Sequence, residues 1–278
     1  MWGFPRAGSS PALGTRGKRR FFLRFFLEES RVKEVELFGT RVLSGKREEF
    51  LNEIEKRLKE KKKTFVVTMN ASILLKAVED KEYRDVINSA DLIVPDGSGV
   101  VWAMRSLTGD HTERLPGIEI MKYLCDRSRE TGWRVYLLGS KEEIVKKAAD
   151  SLKRSGVNVV GYHHGFFREE ESERVVRDIN ERSIDLLFVG MGVPRQEKWI
   201  HRNFPQLNVR LAMGVGGSID VISGKKKRAP EWIQKINLEW LYRFFQSPVS
   251  KRKVPLQVLK FVFLVLREKL KNRNRRLF

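Results

Sequence analysis

The sequence contains one cysteine, Cys125, in 278 residues. A lone thiol excludes a disulfide framework and a cysteine-built zinc site, and it fits a reducing compartment. No apolar run approaches the roughly 18 residues that a membrane-spanning helix requires. Near the N-terminus, Phe21-Phe22-Leu23 and Phe25-Phe26-Leu27 are interrupted by Arg24, a pattern unlike a signal peptide. Asp-x-Asp, the spacing by which many sugar-nucleotide enzymes hold a divalent ion, does not occur. His111, His163, His164 and His201 show no zinc-type spacing either, so neither a metal nor another cofactor is expected.

What the chain has in excess is positive charge, 55 Lys and Arg against 35 Asp and Glu, a formal +20. That charge sits at the ends. Residues 1–24 carry 6 basic and no acidic side chains, and residues 225–278 carry 16 basic and 3 acidic. Between them the body is almost neutral. Cationic ends normally meet phosphate, in nucleic acid, anionic lipid or a phosphorylated substrate, unless they merely solubilise the chain. An apolar content of 41% with 17 Phe excludes a disordered protein. The division that follows is an irregular basic extension over 1–30, a core over 31–224 and a basic appendage over 225–278.

Short apolar runs predict strands at Thr64–Thr68, Leu92–Val94, Arg134–Leu138, Val157–Val160, Leu186–Val189 and Arg210–Val215. Most are apolar at successive positions, as strands covered on both faces are. Segments such as Lys46–Glu60 and Glu142–Arg154 alternate with them and carry apolar residues three or four apart. The expected fold is α/β: a largely parallel, Rossmann-like sheet flanked by helices, with a C-terminal basic amphipathic helical appendage.

In such a sheet ligands bind beyond the carboxyl ends of the strands. Thr68-Met69-Asn70 offers two short hydrogen-bonding side chains, although Asn70 also suits a helix cap. Pro95-Asp96-Gly97-Ser98-Gly99 places a carboxylate in a glycine-rich turn, the position of a general base, a cap or a metal ligand. The turn lacks the Lys-Ser/Thr ending of a phosphate-binding P-loop. Arg114, in Glu113-Arg114-Leu115-Pro116-Gly117, has paired donors suited to phosphate or carboxylate. Leu138-Gly139-Ser140 offers backbone N–H groups to an anion, but it is not Gly-x-Gly-x-x-Gly, which disfavours a nicotinamide dehydrogenase. Gly190-Met191-Gly192-Val193-Pro194-Arg195-Gln196-Glu197 places Gln196 to meet a sugar, a base edge or its own helix start. Met213-Gly214-Val215-Gly216-Gly217-Ser218 lets backbone approach a ligand or a neighbouring helix.

Val67–Asn70, Ala90–Gly99, Glu113–Gly117, Gly190–Trp199, Gly214–Gly224 and Arg228-Ala229-Pro230…Glu239-Trp240-Leu241-Tyr242-Arg243 together resemble the WecG/TagA/CpsF glycosyltransferase family, over roughly residues 34–248. The resemblance implies inverting, metal-independent transfer of a sugar from a UDP-sugar to a polyprenyl-diphosphate-linked sugar at the inner membrane face. N-acetylmannosamine moving onto N-acetylglucosamine, in cell-wall or teichoic-acid-type polysaccharide synthesis, is the first expectation; its uronic acid or glucose are the alternative donors. It also implies that Asp96 is the base and that Thr68, Asn70, Arg114 and Gln196 line its pocket. Gly139, Gly216 and Gly217 fall on the UDP side. Arg243 stands where the family's appendage supplies an arginine to the site. Behind Pro248, where family members tend to place further arginines, the chain has Lys251, Arg252 and Lys253; Arg252 is counted with the substrate-binding set. Glu119 stands where an Asp is common.

In the appendage Trp232, Ile233, Ile236, Trp240, Leu241 and Phe244 recur at helical spacing, with packing and membrane contact both open. Pro255–Leu266 is apolar, too short to span a bilayer, and followed by Arg267, Lys269, Lys271, Arg273, Arg275 and Arg276. That pattern suits a helix lying among headgroups, each cation adding about 1 kcal/mol at an anionic leaflet. The expected location is therefore cytoplasmic and peripheral on the membrane, with homo-oligomer formation left open. The rival reading is a nucleic-acid-binding protein, against which the tail's aromatics form apolar stripes rather than a stacking platform.

Overall fold

The structure is a computed structural model that describes residues 32–235, 239–246 and 254–275. The N-terminal extension over 1–30 and the trio Lys251, Arg252 and Lys253 lie outside the described residues, as does Ile236.

The chain opens with an antiparallel hairpin, β1 (Lys33–Leu37) and β2 (Thr40–Ser44). Helix α1 (Arg47–Lys59) follows, then β3 (Thr64–Met69), α2 (Ala71–Glu79), α3 (Lys81–Asn88) and β4 (Leu92–Pro95). Next come α4 (Ser98–Thr108), α5 (Gly117–Thr131), β5 (Val135–Gly139), α6 (Glu142–Arg154) and β6 (Val159–His163). The core ends with α7 (Ser172–Glu181), β7 (Leu186–Gly190), α8 (Arg195–Asn203), β8 (Leu211–Gly214) and α9 (Ser218–Ile222). The appendage supplies α10 (Glu231–Lys235), α11 (Glu239–Gln246) and α12 (Val254–Arg275).

Strands β3 to β8 form one parallel sheet in the order β4-β3-β8-β7-β5-β6. All six sequence-predicted strands are present, with ends displaced by up to three residues. Five of the six are buried along almost their whole length because both faces are covered. Side chains alternate between the two layers. Phe65, Val67 and Met69 meet α2, α3, α4, α7, α8 and α12 on one face. Val66, Leu211 and Met213 meet α1, α5, α6 and α9 on the other.

This arrangement decides where a ligand binds. β3 leads into α2 on the first face, whereas its neighbour β8 leads into α9 on the second. The chain therefore parts beyond the carboxyl ends of β3 and β8 and leaves a crevice, the topological switch point of an open α/β sheet. β7 sends α8 back to the first face, so β8 is flanked by such a parting on both sides.

Among the described residues no helix is long and apolar enough to cross a membrane. Helix α12 instead packs on the body. Phe261 and Val265 are buried, and Phe261 lies against Gly99 of α4 and Trp102. Leu264 is half-buried against the same core, whereas Leu256, Leu259, Phe263, Leu266 and Leu270 are exposed. The stripe expected from Trp232 to Phe244 is divided between α10 and α11, with Trp232 exposed.

Candidate active site

The first half of the site comes from β3, β4 and the segment that leads into α5. Thr68 is buried at the end of β3, and its hydroxyl donates to the Gly214 carbonyl on β8 at 3.3 Å. Gly117 at the start of α5 is pressed on Thr68 so closely that a Cβ there would stand 2.9 Å from its Oγ1. Asn70 caps α2: its Oδ1 accepts from the N–H groups of Ser72 at 3.0 Å and Ile73 at 3.1 Å. Asp96, half-buried, follows β4 immediately, and its backbone N–H donates to the Met69 carbonyl at 2.8 Å. Gly97 carries the chain past Asn70, where an added Cβ would be 3.3 Å from the Asn70 Cβ. Arg114 arrives beside them because the N–H of Leu115 bonds the Pro95 carbonyl at 2.9 Å.

Cationic and acidic side chains tie this half to the appendage. The Arg114 guanidinium lies 3.6 Å from the buried carboxylate of Glu239 on α11. Arg243 lies one turn further along α11, and its side chain is outside the described ones. In the first turn of α5, Glu119 accepts from both Arg47 and Arg228. Burial opposes ionisation of Glu119, but the Arg228 hydrogen bond and the charges of Arg47 and Arg228 outweigh it. The carboxyl is thereby held below its ordinary range.

Glycine loops after β5, β7 and β8 form the second half. Gly139 ends β5 at φ +141°, where a Cβ would sit 2.4 Å from the Gly190 carbonyl oxygen. This glycine is required by chain-on-chain packing. Gly192, Gly216 and Gly217 differ: a Cβ at any of them would meet only open space. No neighbouring atom requires a glycine at these three loop positions. Ser140 adopts a left-handed φ of 56° and its hydroxyl donates to Asp220 at 2.6 Å. Asp220 also accepts from Lys226 at 2.6 Å, tying the β5 loop to α9 and to the start of the appendage.

Gln196 is deeply buried on the first turn of α8. Its Oε1 accepts from the N–H of Gly192 and the N–H of Gly216, each at 3.1 Å. It therefore spans the β7 and β8 loops. The sequence offered Gln196 as a direct contact or a helix-start residue, and neither expectation anticipated this bridge. Glu239, Asp220 and Lys226 also went unassigned in the sequence, because their roles arise from contacts between distant segments. Among the described residues no cluster of three His, Cys, Asp or Glu is placed to hold a metal ion.

Fold and site together define an α/β enzyme whose ligand crevice lies at the carboxyl edge of a parallel sheet, with a helical appendage reaching the rim. The model of the glycosyl transferase WecG/TagA/CpsF family matches residues 35–275, and the chain belongs to that family. It is a glycosyltransferase. The N-acetylglucosaminyldiphosphoundecaprenol N-acetyl-beta-D-mannosaminyltransferase of Staphylococcus aureus strain NCTC 8325 / PS 47 is 40% identical over 179 residues, which are 64% of this chain and 70% of the relative. The protein of that name from strain MRSA252 matches at the same identity and coverage.

Proposed function

We propose that the protein transfers N-acetylmannosamine from its UDP-sugar to a polyprenyl-diphosphate-linked N-acetylglucosamine, with inversion and without a metal. The relatives' names supply the sugar and the acceptor. The observation that carries the mechanism is the grouping of Asp96, Asn70, Thr68 and Arg114 at the ends of β3 and β4, across the crevice from the β8 loop.

In the proposed step the Asp96 carboxylate takes the proton of the acceptor hydroxyl. The freed oxygen attacks the anomeric carbon from the face opposite the donor diphosphate. As that C–O bond forms, the bond to UDP breaks and UDP leaves with the electron pair. One base suffices, and the growing charge on the diphosphate calls for fixed donors and cations. Arg114 and Arg243 are assigned that task, Arg252 assists at the diphosphate, and Gly139, Gly216 and Gly217 receive the nucleotide side. Thr68 and Asn70 shape the acceptor side through their bonds to Gly214 and the α2 N-terminus.

Helix α12 supports a peripheral, cytoplasmic-face location. Its exposed Leu256, Leu259, Phe263, Leu266 and Leu270 are joined by Arg267, Lys269, Lys271 and Arg273, a composition that suits an anionic lipid surface. The test is a panel of UDP-sugars with a lipid-diphosphate-N-acetylglucosamine analogue, read by product mass. Transfer of N-acetylmannosamine is expected, and its loss in Asp96→Ala with UDP binding retained. Full transfer by Asp96→Ala overturns the assignment of the base, and transfer of another sugar overturns the choice of donor.

A further inference from the structure

The Gln196 amide has only one workable orientation. Its Oε1 receives two backbone N–H groups, from Gly192 and Gly216. A half-turn of the amide would set an NH2 group against two donors. Nε2 must then donate elsewhere, and the room is narrow: a Cβ on Gly214 would lie 2.7 Å from it. The partner it finds is the neighbouring Glu197, whose Oε1 accepts at 2.7 Å. The other carboxylate oxygen of Glu197 accepts from the Tyr83 hydroxyl on α3 at 3.0 Å. Tyr83 and Glu197 are 0% and 1% exposed.

A carboxyl group in this position is costly to bury. Burial pushes the pKa of Glu197 up to about 7, even though the bonds from Gln196 and Tyr83 favour its charged form. Burial likewise raises the Tyr83 phenol well above its usual value, with the Glu197 charge adding to the effect. If this place needed only packing, an aliphatic side chain would fill it without that cost. What the carboxylate provides is an acceptor facing Nε2, held from behind by the Tyr83 hydroxyl that donates to its other oxygen.

We propose that Glu197, held by Tyr83, is a positioning residue for the donor: it fixes the Gln196 amide and thereby the shape in which the β7 and β8 glycine loops receive a nucleoside diphosphate. The inference rests on the proposed assignment of those loops to the UDP side. The chain of contact runs from α3 through Tyr83, Glu197 and Gln196 to the Gly192 and Gly216 amides, so a change two side chains away reaches the ligand.

The experiment compares the full chain with Glu197→Leu, Glu197→Gln and Tyr83→Phe. UDP binding is measured by calorimetry, transfer by KM and kcat, and loop order by amide hydrogen exchange at Gly192 and Gly216. Loss of a buried acceptor makes Glu197→Leu raise the donor KM and the UDP Kd about tenfold or more. Acceptor KM stays unchanged, kcat changes little, and the two amides exchange faster. Glu197→Gln keeps a carbonyl toward Nε2 and returns both readouts close to the starting protein. Tyr83→Phe falls between, and it carries the comparison if the leucine variant does not fold. Unchanged UDP affinity and exchange in Glu197→Leu and Tyr83→Phe overturn the inference, as does failure of Glu197→Gln to rescue. If the starting protein binds no UDP, the donor assignment fails and the inference fails with it, whereas UDP binding that is indifferent to these variants sinks the inference alone.

Discussion

Replacing Phe261 with Ala tests whether α12 is held on the body by one aromatic anchor. Phe261 is 3% exposed, and its ring lies where a Cβ on Gly99 would be 3.3 Å away. Removing a buried phenyl group costs about 3–5 kcal/mol, partly as lost transfer energy and partly as the cavity left behind. Val265, fully buried on the next turn, is the second apolar tie, and the polar ties are weak. Lys260 and Glu79 pair at 3.8 Å on the exposed surface, and the Ser72 hydroxyl reaches Gln257 only at 3.4 Å. Because α12 ends the described chain, the loss should appear as local undocking of the helix rather than unfolding of the sheet. With 1.4 kcal/mol per tenfold, the docking equilibrium shifts by about 100-fold or more. Amide exchange along residues 258–270 should accelerate accordingly, and proteolysis there should speed up, while exchange in β7 stays unchanged. Phe263→Ala is the control, since that ring is 69% exposed. Equal behaviour of the two variants would refute the anchor.

The other predictions concern the membrane face, the loop packing, one carboxylate and the thiol. Leu259→Glu with Phe263→Glu should release the protein from anionic vesicles in a flotation assay while its melting temperature holds, because both side chains are exposed; unchanged flotation counts against the membrane face. Gly139→Ala should destabilise the protein by several kcal/mol in thermal melts, since its Cβ would enter the Gly190 carbonyl at 2.4 Å. Glu55 loses some ionisation to burial, but bonds from Tyr123, Arg127 and Lys59 more than offset this and lower its pKa from 4.5 to about 2. Its depressed folded value means that the stabilisation is complete above about pH 4.5 and disappears as pH falls toward 2. Melting curves of Glu55→Gln and the starting protein should therefore differ at pH 7 and converge in acid. Burial pushes the Cys125 thiol up to about 12, so iodoacetamide should label it only after denaturation.

The sheet was legible because its strands are buried on both faces and read as unbroken apolar runs, as Phe65-Val66-Val67 and Leu186-Leu187-Phe188 do. The hairpin β1–β2 is less legible, although Val35, Leu37 and Val42 alternate with polar residues, because its turn depends on positive φ at Phe38 and Gly39. Strand order was beyond a linear reading, since β8 enters between β3 and β7. At the site, Thr68, Asn70, Asp96 and Arg114 converge from positions that a strand-end search identifies. The bond between Gln196 and two separate loops could not be read off, because it joins residues whose proximity exists only after the sheet is ordered. The same holds for Glu239 against Arg114, which brings an acidic residue of the basic appendage to the rim.

The central place of β8 has a consequence for synthesis. Thr64 of β3 pairs with Leu211 of β8, so β3 waits for a partner made near the end of the core. Such distant pairing is slow to form, and until it forms the flank of β3 is an open edge. A ribosome-bound chain carrying Thr68, Asn70 and Asp96 therefore has those side chains but not the parting between β3 and β8. Slower elongation after residue 214 would lengthen the life of the paired sheet before α12 emerges, and faster elongation would send an apolar helix out against an unfinished core.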